Sequence, residues 1–325
     1  MPLYRLLKIV FIIGILYGLN FLFPKISNII PESPYYLQIL NMIGINIIMA
    51  VSLNLISGHT GQFSLGHAGF MAIGAYTAAD FTFYRHDQIL PLLTSFLPIP
   101  LAENLFFLLA LLLGGLYSAV AGFLVGGPTL RLKGDYLAIA TLGFGEIIRV
   151  IILNLDRVGG ARGFTGIHEY SNFFWIYLFV LITLSITTHL VYSIKGKALL
   201  AIREDEVAAE SIGIHTTRYK IIAFTIGAFF AGIGGGLFAH LMAYLHTNSF
   251  TFLKSIDFVM MVVLGGMGSI TGSVLAAILL TILPEALRMT ENLRMIIYAL
   301  SLILMMRLRP QGIFGMKEFK WFRRS

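Results

Sequence analysis

The stretch GHTGQFSLGHAGF, residues 58–70, separates two apolar stretches, 35–57 and 68–84, that are each long enough to cross a bilayer. It carries four glycines, two histidines, Gln62 and Ser64. A glycine costs about 1 kcal/mol relative to alanine inside a helix, so the stretch predicts a break between two spans. Non-helical backbone at membrane depth is tolerated only where protein buries it or where it lines a watery cavity. The stretch is therefore either a tight turn packed by small residues or part of a polar path across the membrane.

The composition places this break in an integral membrane protein. Hydrophobic residues make up 57% of the 325 residues and charged residues only 12%, whereas soluble domains are about a quarter charged. The absence of cysteine excludes disulfides and thiolate metal sites. The formal net charge of +7 comes from basic residues scattered over loops and tail, which is typical of membrane topology rather than of nucleic-acid binding. We therefore expect an all-α fold, a polytopic transmembrane helical bundle with Gly-rich helix breaks.

The apolar runs predict about ten spans in a single transmembrane domain over residues 1–325. The first run begins with basic residues, but it is long and is followed by Pro24 rather than by a small-residue cleavage site, so it is interpreted as a retained helix. The stretch 252–289 is divided at GGMGSITGS into two spans, with one long broken helix as the alternative. The predicted spans are 4–23, 35–57, 68–84, 103–126, 135–155, 173–194, 220–245, 252–267, 270–289 and 293–308.

The distribution of lysine and arginine favours ten spans with both the N- and C-termini cytoplasmic. With that topology the cytoplasmic segments and their edges hold 15 of the 23 basic residues, including a basic cytoplasmic tail at 309–325, and the outer segments hold seven. Merging 252–289 into one span would place the tail outside, against the positive-inside rule. The turns at 58–67 and 265–273 then face the same side, which hints at a parallel internal repeat of a kind common in transporters.

The largest polar insertion, KGKALLAIREDEVAAESIGIHTTRYK at 195–220, lies between the sixth and seventh predicted spans. It combines good helix formers, an adjacent alanine pair and Gly213 as a helix stop. Small residues let another protein surface approach closely, while the neighbouring charges stay hydrated or pair with that surface. The segment is interpreted as a docking helix for a cytoplasmic partner, with a solvated loop as the simpler alternative. Its candidate contact residues are Arg203, Glu204, Asp205, Glu206, Ala208, Ala209 and Gly213.

Several stretches of the sequence resemble bacterial ABC importers. AAESIG, residues 208–213, is similar to the Ala-Ala-x-x-x-Gly core of the coupling loop in their permeases, although this chain has Val207 where that family usually has Glu. The departure leaves open which carboxylate contacts the ATPase. SGHTGQFSLGHAGFMAIGAYTAA, RLKGDYLAIATLGFGEIIRVI, VLGGMGSITGSVLAAIL and the closing RLRPQGIFG resemble, in order, the blocks of branched-chain amino acid permeases of the LivM type.

This resemblance implies a permease subunit of an importer in the bacterial cytoplasmic (inner) membrane, with 195–220 as its cytoplasmic coupling loop. It implies alternating access driven by two ABC ATP-binding subunits, a second homologous permease subunit, and a periplasmic or lipid-anchored solute-binding protein. The expected substrate is a branched-chain amino acid; urea, short amides and other amino acids are the alternatives within the family. The partners would bind and hydrolyse ATP, because the chain has no Gly-x-x-x-x-Gly-Lys-Ser/Thr loop, and no cofactor is expected in the chain itself.

One carboxylate in the fifth span joins the polar residues of the opening stretch as a candidate for the substrate path. Glu146 lies eleven residues after Asp135, about 16 Å into the span at 1.5 Å per residue, and therefore near mid-bilayer. A charge at that depth should face protein or water, so Glu146 either forms an intramembrane ion pair with Arg149, one turn away, or meets the substrate's ammonium group. Snorkelling or contact with the partner permease is the remaining alternative. The candidate path residues are Gly61, Gln62, Ser64, Gly66, His67 and Glu146.

Two other classes of protein are alternatives. An intramembrane hydrolase would use Ser64 with His59 or His67, but Ser64 lies in no Gly-x-Ser-Gly turn and both histidines are its sequence neighbours, so neither enzymatic activity nor a catalytic residue is expected. The spacing of the two histidines is not that of a metal site. An ion-coupled secondary transporter would use Glu146 and would need no docking helix at 195–220.

Overall fold

The computed structural model of the chain describes residues 33–287 apart from 131 and 133, together with residues 14, 17, 18, 299, 300, 303, 307, 308, 311–313 and 315. Within those residues the named elements are all helical, with no β-strand. The α-helices are α1 (Ser33–Ser57), α2 (His67–Thr94), α3 (Ile99–Thr129), α4 (Asp135–Leu153), α5 (Phe173–Val191), α6 (Ile194–Glu204), α7 (Glu206–Ser211), α8 (Thr216–Met242), α9 (Phe252–Gly265) and α10 (Ile270–Ala286). Short 3-10 turns lie at Asp156–Val158, Gly160–Arg162 and Thr247–Phe250.

Six stretches of helix are long and apolar enough to cross a membrane, which confirms a multi-pass helical membrane protein. They correspond to α1, α3, α4, α5, α8, and α9 with the turn before it. Helices α2 and α10 occupy two further predicted spans; α10 is a shorter apolar helix of 17 residues. The predicted spans 4–23 and 293–308 and the tail 309–325 lie largely outside the described residues, so the total of ten spans and the side of both termini stay predictions.

The helix bounds follow the apolar runs closely except in α2. The sequence predicts a span over 68–84, but α2 continues to Thr94, because the polar residues 85–88 extend the helix without extending its apolar part. The predicted division of 252–289 is confirmed. Helix α9 ends at Gly265 and α10 begins at Ile270, and between them Gly266 and Gly268 have φ angles of +106° and +89° that favour glycine.

The insertion at 195–220 is helical at its start but is not one continuous helix. Helix α6 ends at Glu204, and the extended backbone of Asp205 separates it from α7. The Asp205 side chain accepts hydrogen bonds from the backbone N–H groups of Val207 and Ala208 at 2.9 and 3.0 Å, so it caps α7. Gly213, with φ of +88°, follows the end of α7, as expected of a helix stop.

Helices α2, α3 and α8 cross at glycines. A Cβ atom on Gly74 of α2 would overlap the backbone of Gly232 of α8, and one on Gly114 of α3 would lie 2.8 Å from the Gly74 carbonyl oxygen. Small residues at a crossing let membrane helices approach until their backbones touch. Helix α1 also packs against α8, and its residues 47–56 are fully or almost fully buried. These four helices form the core of the protein.

Helix α2 begins half-way along its neighbours. The N–H of Ala68 donates to Ser255 Oγ at 3.0 Å, and a Cβ on Gly69 would lie 2.9 Å from Gly145 Cα. Ser255 lies ten residues before the end of α9, and Gly145 lies ten residues after the start of α4, so both are about 15 Å from the same end of the bundle. We call this end the inner end. Residues 58–66 therefore return from the inner end to mid-depth without helical structure, and we call them the re-entrant segment.

The opposite end, which we call the outer end, is held by an exposed ion pair. Arg157 binds Asp80 through two hydrogen bonds, from Nε to Oδ1 at 2.6 Å and from Nη2 to Oδ2 at 2.9 Å. The Arg157 guanidinium also lies 4.9 Å from the centre of the Tyr84 ring, and the Tyr84 hydroxyl donates to the Arg157 carbonyl oxygen. Helix α2 continues past this ion pair to Thr94.

Candidate substrate path and coupling site

The re-entrant segment and the first residue of α2 bury polar side chains without hydrogen-bond partners. Gln62 is 2% exposed, and Ser64 and His67 are fully buried. Within the described residues, neither polar atom of the Gln62 amide has a partner, and Ser64 Oγ and His67 Nδ1 have none either. A buried polar group left unpaired costs about 1–3 kcal/mol. These atoms are therefore places where water or a polar ligand can bind.

Two glycines that the sequence assigns to the path have distinct conformational roles. Gly61 has φ of +70°, a left-handed conformation that turns the chain back from the inner end. Gly66 lies against α4, where a Cβ atom would overlap the Thr141 carbonyl oxygen. The N–H of Leu65 donates to Thr141 Oγ1 at 3.0 Å. The segment is thus fixed against the middle of α4, and its glycines permit that approach.

The two histidines that flank the segment bind groups of α1. His67 Nε2 lies 2.9 Å from Ser52 Oγ, which itself donates to the Met49 carbonyl oxygen. The Nε2–H group therefore donates to Ser52, and Nδ1 is left as an unpaired acceptor. His59 Nδ1 donates to the Asn54 carbonyl oxygen at 3.0 Å, and burial lowers the pKa of His59 to about 4. His59 is thus a neutral packing residue just beyond the inner end of α1.

The two glycine-rich turns, which the sequence places on the same side, are in direct contact. The Asn54 side chain bridges them: its Nδ2 donates to the Ser269 carbonyl oxygen at 3.0 Å, and its Oδ1 accepts from the Gly268 N–H at 2.9 Å. A Cβ atom on Gly58 would overlap Gly268. The end of α1 and the α9–α10 turn are therefore joined by buried hydrogen bonds.

Arg203 connects the polar insertion to both turns. Its Nη1 donates to the Gly58 carbonyl oxygen at 3.0 Å, and a Cβ on Gly61 would lie 3.1 Å from Arg203 Cγ. The same Nη1 lies 2.6 Å from where a Cβ on Gly268 would be. Only 18% of the Arg203 side chain is exposed, so it points into the protein. We call Asn54, Gly58, Gly61, Gly268 and Arg203 the inner junction.

The other candidate coupling residues divide into an inward and an outward set. Ala209 is buried, and Glu206 binds Lys220 at 2.7 Å. Glu204 pairs with Arg203 at 2.6 Å but keeps 71% of its side chain exposed. Ala208 is exposed, and a Cβ on Gly213 would meet no atom within 4 Å.

Sequence reasoning missed the apolar part of the outward surface. Val207 is 68% exposed and Ile212 is 75% exposed, one on each side of the exposed Ala208 and Ser211. The signal that could have found them is the position of these β-branched apolar residues beside the small residues of a polar insertion.

Glu146 and Arg149 lie side by side on α4. Arg149 Nε donates to Glu146 Oε2 at 2.7 Å, and the two side chains are 26% and 35% exposed, respectively. Helix α4 is the least buried of the six long apolar helices, with 22% of its residues inside the protein. The pair is therefore partly exposed on a surface that no other part of this chain covers within the described residues.

A second intramembrane ion pair, on α9, was not identified from the sequence. Lys254 Nζ lies 3.9 Å from Asp257 Oδ2 and 5.2 Å from the centre of the Phe258 ring. The Phe258 ring in turn meets the edge of the His67 ring at 6.3 Å. The sequence analysis places Lys254 at the outer edge of a predicted span. Its greater depth follows from the hydrogen bond between Ala68, at the start of α2, and the neighbouring Ser255. Among the described residues no group of three or more His, Cys, Asp or Glu could hold a metal ion.

Comparison with known proteins identifies the family. The family described as "Branched-chain amino acid transport system / permease component" matches residues 35–306. The chain belongs to this family. It is 38% identical over 314 residues to the high-affinity branched-chain amino acid transport system permease protein LivM of Salmonella typhimurium strain LT2, an alignment that covers 86% of this chain and 70% of the relative. No solved structure gives a significant match.

Two further relatives are informative. The LivM protein of Escherichia coli strain K12 is 38% identical over 307 residues, which covers 84% of this chain and 68% of the relative. The LivH permease of the same strain is 34% identical over 147 residues, which covers 44% of this chain and 47% of the relative. The chain is therefore a permease subunit of an importer for branched-chain amino acids, a transport protein and not an enzyme.

Proposed function

We propose that this permease couples ATP hydrolysis in a partner to the passage of a branched-chain amino acid by alternating access. In this proposal the chain has ten spans, lies in the bacterial inner membrane and has both termini in the cytoplasm. Two ATP-binding subunits act on residues 195–220, a second permease of the same family completes the bundle, and a binding protein delivers the substrate at the outer end. The existence of paired relatives named LivM and LivH supports a heterodimer of permeases.

The observation that carries this proposal is the contact of Arg203 with the inner junction. A displacement of α6 moves the Arg203 guanidinium, which is bonded to the Gly58 carbonyl oxygen and packed on Gly61. Gly61 is followed directly by the buried polar residues of the re-entrant segment, so force applied to the insertion reaches the candidate path within a few residues. Arg203 thus acts inside the permease, as a link, and does not itself have to touch the ATPase.

The surface that meets the ATPase is α7 and the residues around it. Val207 and Ile212 supply exposed apolar area, and Glu204 supplies an exposed carboxylate beside it. Asp205 caps α7, and Glu206 binds Lys220 and is only 25% exposed, whereas Glu204 pairs with Arg203 but keeps 71% of its side chain exposed. We therefore assign the carboxylate that contacts the ATPase to Glu204.

The path for the substrate follows the re-entrant segment. The unpaired atoms of Gln62, Ser64 and His67 include three acceptors, which suit the ammonium group of an amino acid. Glu146 lies about 16 Å from the inner end of α4, level with the start of α2. Gly61 and Gly66 lack side chains and so let the backbone of the re-entrant segment approach Arg203 and α4 closely. The path must bind weakly, because tight binding would slow release.

The test of coupling is Arg203→Ala in the complete transporter, reconstituted in proteoliposomes with its binding protein and ATPase. We expect the ATP hydrolysis rate to stay near that of the parent while leucine uptake falls roughly 10-fold, since a hydrogen bond from a charged group is worth about 1.5–3 kcal/mol. Arg218→Ala, which removes an exposed arginine of the same insertion, is the control and should leave both rates unchanged.

Two results would contradict the proposal. Uptake that survives Arg203→Ala would show that the inner junction does not transmit force, and equal losses of hydrolysis and uptake would place Arg203 in the docking surface instead. Leucine accumulation in liposomes that contain this chain alone would indicate an ion-coupled secondary transporter.

A further inference from the structure

Lys254 and Asp257 lie half-way across the membrane and not at its edge. Lys254 is eleven residues and Asp257 eight residues before the inner end of α9, which corresponds to about 16 and 12 Å. Ser255, between them, accepts the hydrogen bond of Ala68 at the start of α2. The pair therefore has the same depth as Glu146, which lies eleven residues from the inner end of α4.

The charged side chains around this pair disfavour contact of this surface with lipid. The Lys254 side chain is 25% exposed and that of Asp257 is 42% exposed in the isolated chain. Glu146 and Arg149 add two more partly exposed charges at a similar depth, on a helix that also packs against the start of α2. Charged side chains at mid-membrane face the interior of a bundle or a water-filled cavity. The four charges therefore mark a watery surface beside the start of α2.

The two pairs on this surface differ in how fully they are bonded. Arg149 and Glu146 share a short hydrogen bond of 2.7 Å. The charged atoms of Lys254 and Asp257 are 3.9 Å apart, beyond hydrogen-bond distance, and neither side chain makes a hydrogen bond within the described part of the chain. The ammonium group of Lys254 and the carboxylate of Asp257 thus keep their donors and acceptors free for a ligand.

We propose that Lys254 and Asp257 bind the two charged groups of the transported amino acid at mid-membrane, an assignment that rests on the proposed transport function. A zwitterionic amino acid carries its carboxylate and ammonium on the same carbon, so it can bridge a cation and an anion a few Å apart. The carboxylate binds Lys254 and the ammonium binds Asp257. Leu253, one turn from Asp257 on the same face and 69% exposed, offers apolar surface to the aliphatic side chain.

This placement joins the pair to the rest of the path. The Phe258 ring lies under Lys254 and against His67, whose Nδ1 is an unpaired acceptor. A substrate that leaves Asp257 toward the inner end next meets the acceptors of His67, Ser64 and Gln62. The pair is therefore the mid-membrane station from which the substrate enters the re-entrant segment.

Because the sequence contains no cysteine, the proposal can be tested by single cysteine substitutions. Asp257→Cys is introduced into the complete transporter in proteoliposomes and treated with a charged, membrane-impermeant thiol reagent. Leu116→Cys, at a 54% exposed apolar position of α3, is the control. We expect Asp257→Cys to react and Leu116→Cys not to react. Leucine at ten times its Kd should slow the reaction about tenfold. The protection tests use Lys254→Cys as well, in case Asp257→Cys fails to assemble.

Analogues separate binding from mere access to water. 4-Methylpentanoate lacks the ammonium group and 3-methylbutylamine lacks the carboxylate. In Asp257→Cys only Lys254 is retained, so 4-methylpentanoate should protect about as well as leucine and 3-methylbutylamine should not protect; in Lys254→Cys the order should reverse. Absence of labelling at both positions would show that the surface faces lipid, and labelling that leucine does not slow would show water without binding. Either result overturns the assignment. ATP-driven leucine uptake by the parent transporter is measured in parallel; its loss would count against the proposed function instead.

Discussion

The inner and outer ends of the bundle are held together by different kinds of contact. At the inner end, Asn54, Gly58 and Gly268 meet through buried hydrogen bonds and backbone contact. At the outer end, a buried hydrogen bond joins Thr82 of α2 to His240 of α8. The contact between α2 and the turn after α4, however, includes the ion pair of Asp80 and Arg157, whose arginine side chain is 60% exposed. Buried contacts between backbones cannot adjust, whereas an exposed ion pair exchanges readily with water. The inner end can therefore transmit a displacement, whereas at the outer end the contact between α2 and the turn after α4 can open.

The largest expected effect is that of Gly58→Ala in the inner junction. The added methyl group would overlap both the Asn54 side chain and the Gly268 backbone, so α1 and the α9–α10 turn must separate. Overpacking of this kind costs about 1–3 kcal/mol or more. We expect a clearly lower melting temperature of the purified protein in detergent and little assembled transporter. Gly127→Ala, where a Cβ would meet no atom within 4 Å, is the matched control and should melt like the parent.

A smaller loss is expected from Asn54→Leu. Leucine leaves the Gly268 N–H without its side-chain partner, at about 1–3 kcal/mol for a buried group, and removes one of the hydrogen bonds to the Ser269 carbonyl oxygen, which Ser273 continues to bind. Asn54→Asp retains the acceptor for Gly268 but places a carboxylate oxygen opposite the Ser269 carbonyl oxygen in a fully buried site, so it should also lose stability. Thermal unfolding, followed by tryptophan fluorescence, measures the stability of the parent and of the two variants. Equal stability of all three proteins would mean that the two turns are held by something other than this amide.

The smallest effect is expected at the outer end, from Asp80→Asn. The exposed Arg157 gains little from the carboxylate, because water and salt screen the pair. We expect a melting temperature within about 1 °C of the parent, and unchanged leucine uptake. A decrease in melting temperature as large as that of Asn54→Leu would contradict the proposed difference in contact strength between the two ends.

Most of the fold could be predicted because apolar runs of membrane length are visible in the sequence. Helices occupy all eight predicted spans that the structure describes, and the break at Gly266 to Ser269 follows from its glycines. The true length of α2 was missed, because its outer residues are helical without being apolar. From the sequence alone, the re-entrant segment could be either a tight turn or part of a polar path. The choice depends on the depth at which α2 begins, and that depth is set by contacts with Thr141 and Ser255.

The candidate site was harder to predict than the fold. The sequence singled out Gln62, Ser64 and His67 by their polarity between apolar spans, but it could not show that their polar atoms lack partners. It grouped Arg203 with its acidic neighbours, because only the folded chain shows the guanidinium turned toward Gly58. Lys254 looked like an ordinary boundary residue for the same reason.

The crossing of α2, α3 and α8 at Gly74, Gly114 and Gly232 has a mechanical consequence. Backbone lies against backbone at Gly74, and only the small side chain of Ser118 lies beside Gly232, so a sliding motion would have to separate main chain from main chain. These helices must travel together as one body through the transport cycle. The change of access then falls to the sparsely covered α4 and to the short α9, which carry the charged residues on either side of the start of α2.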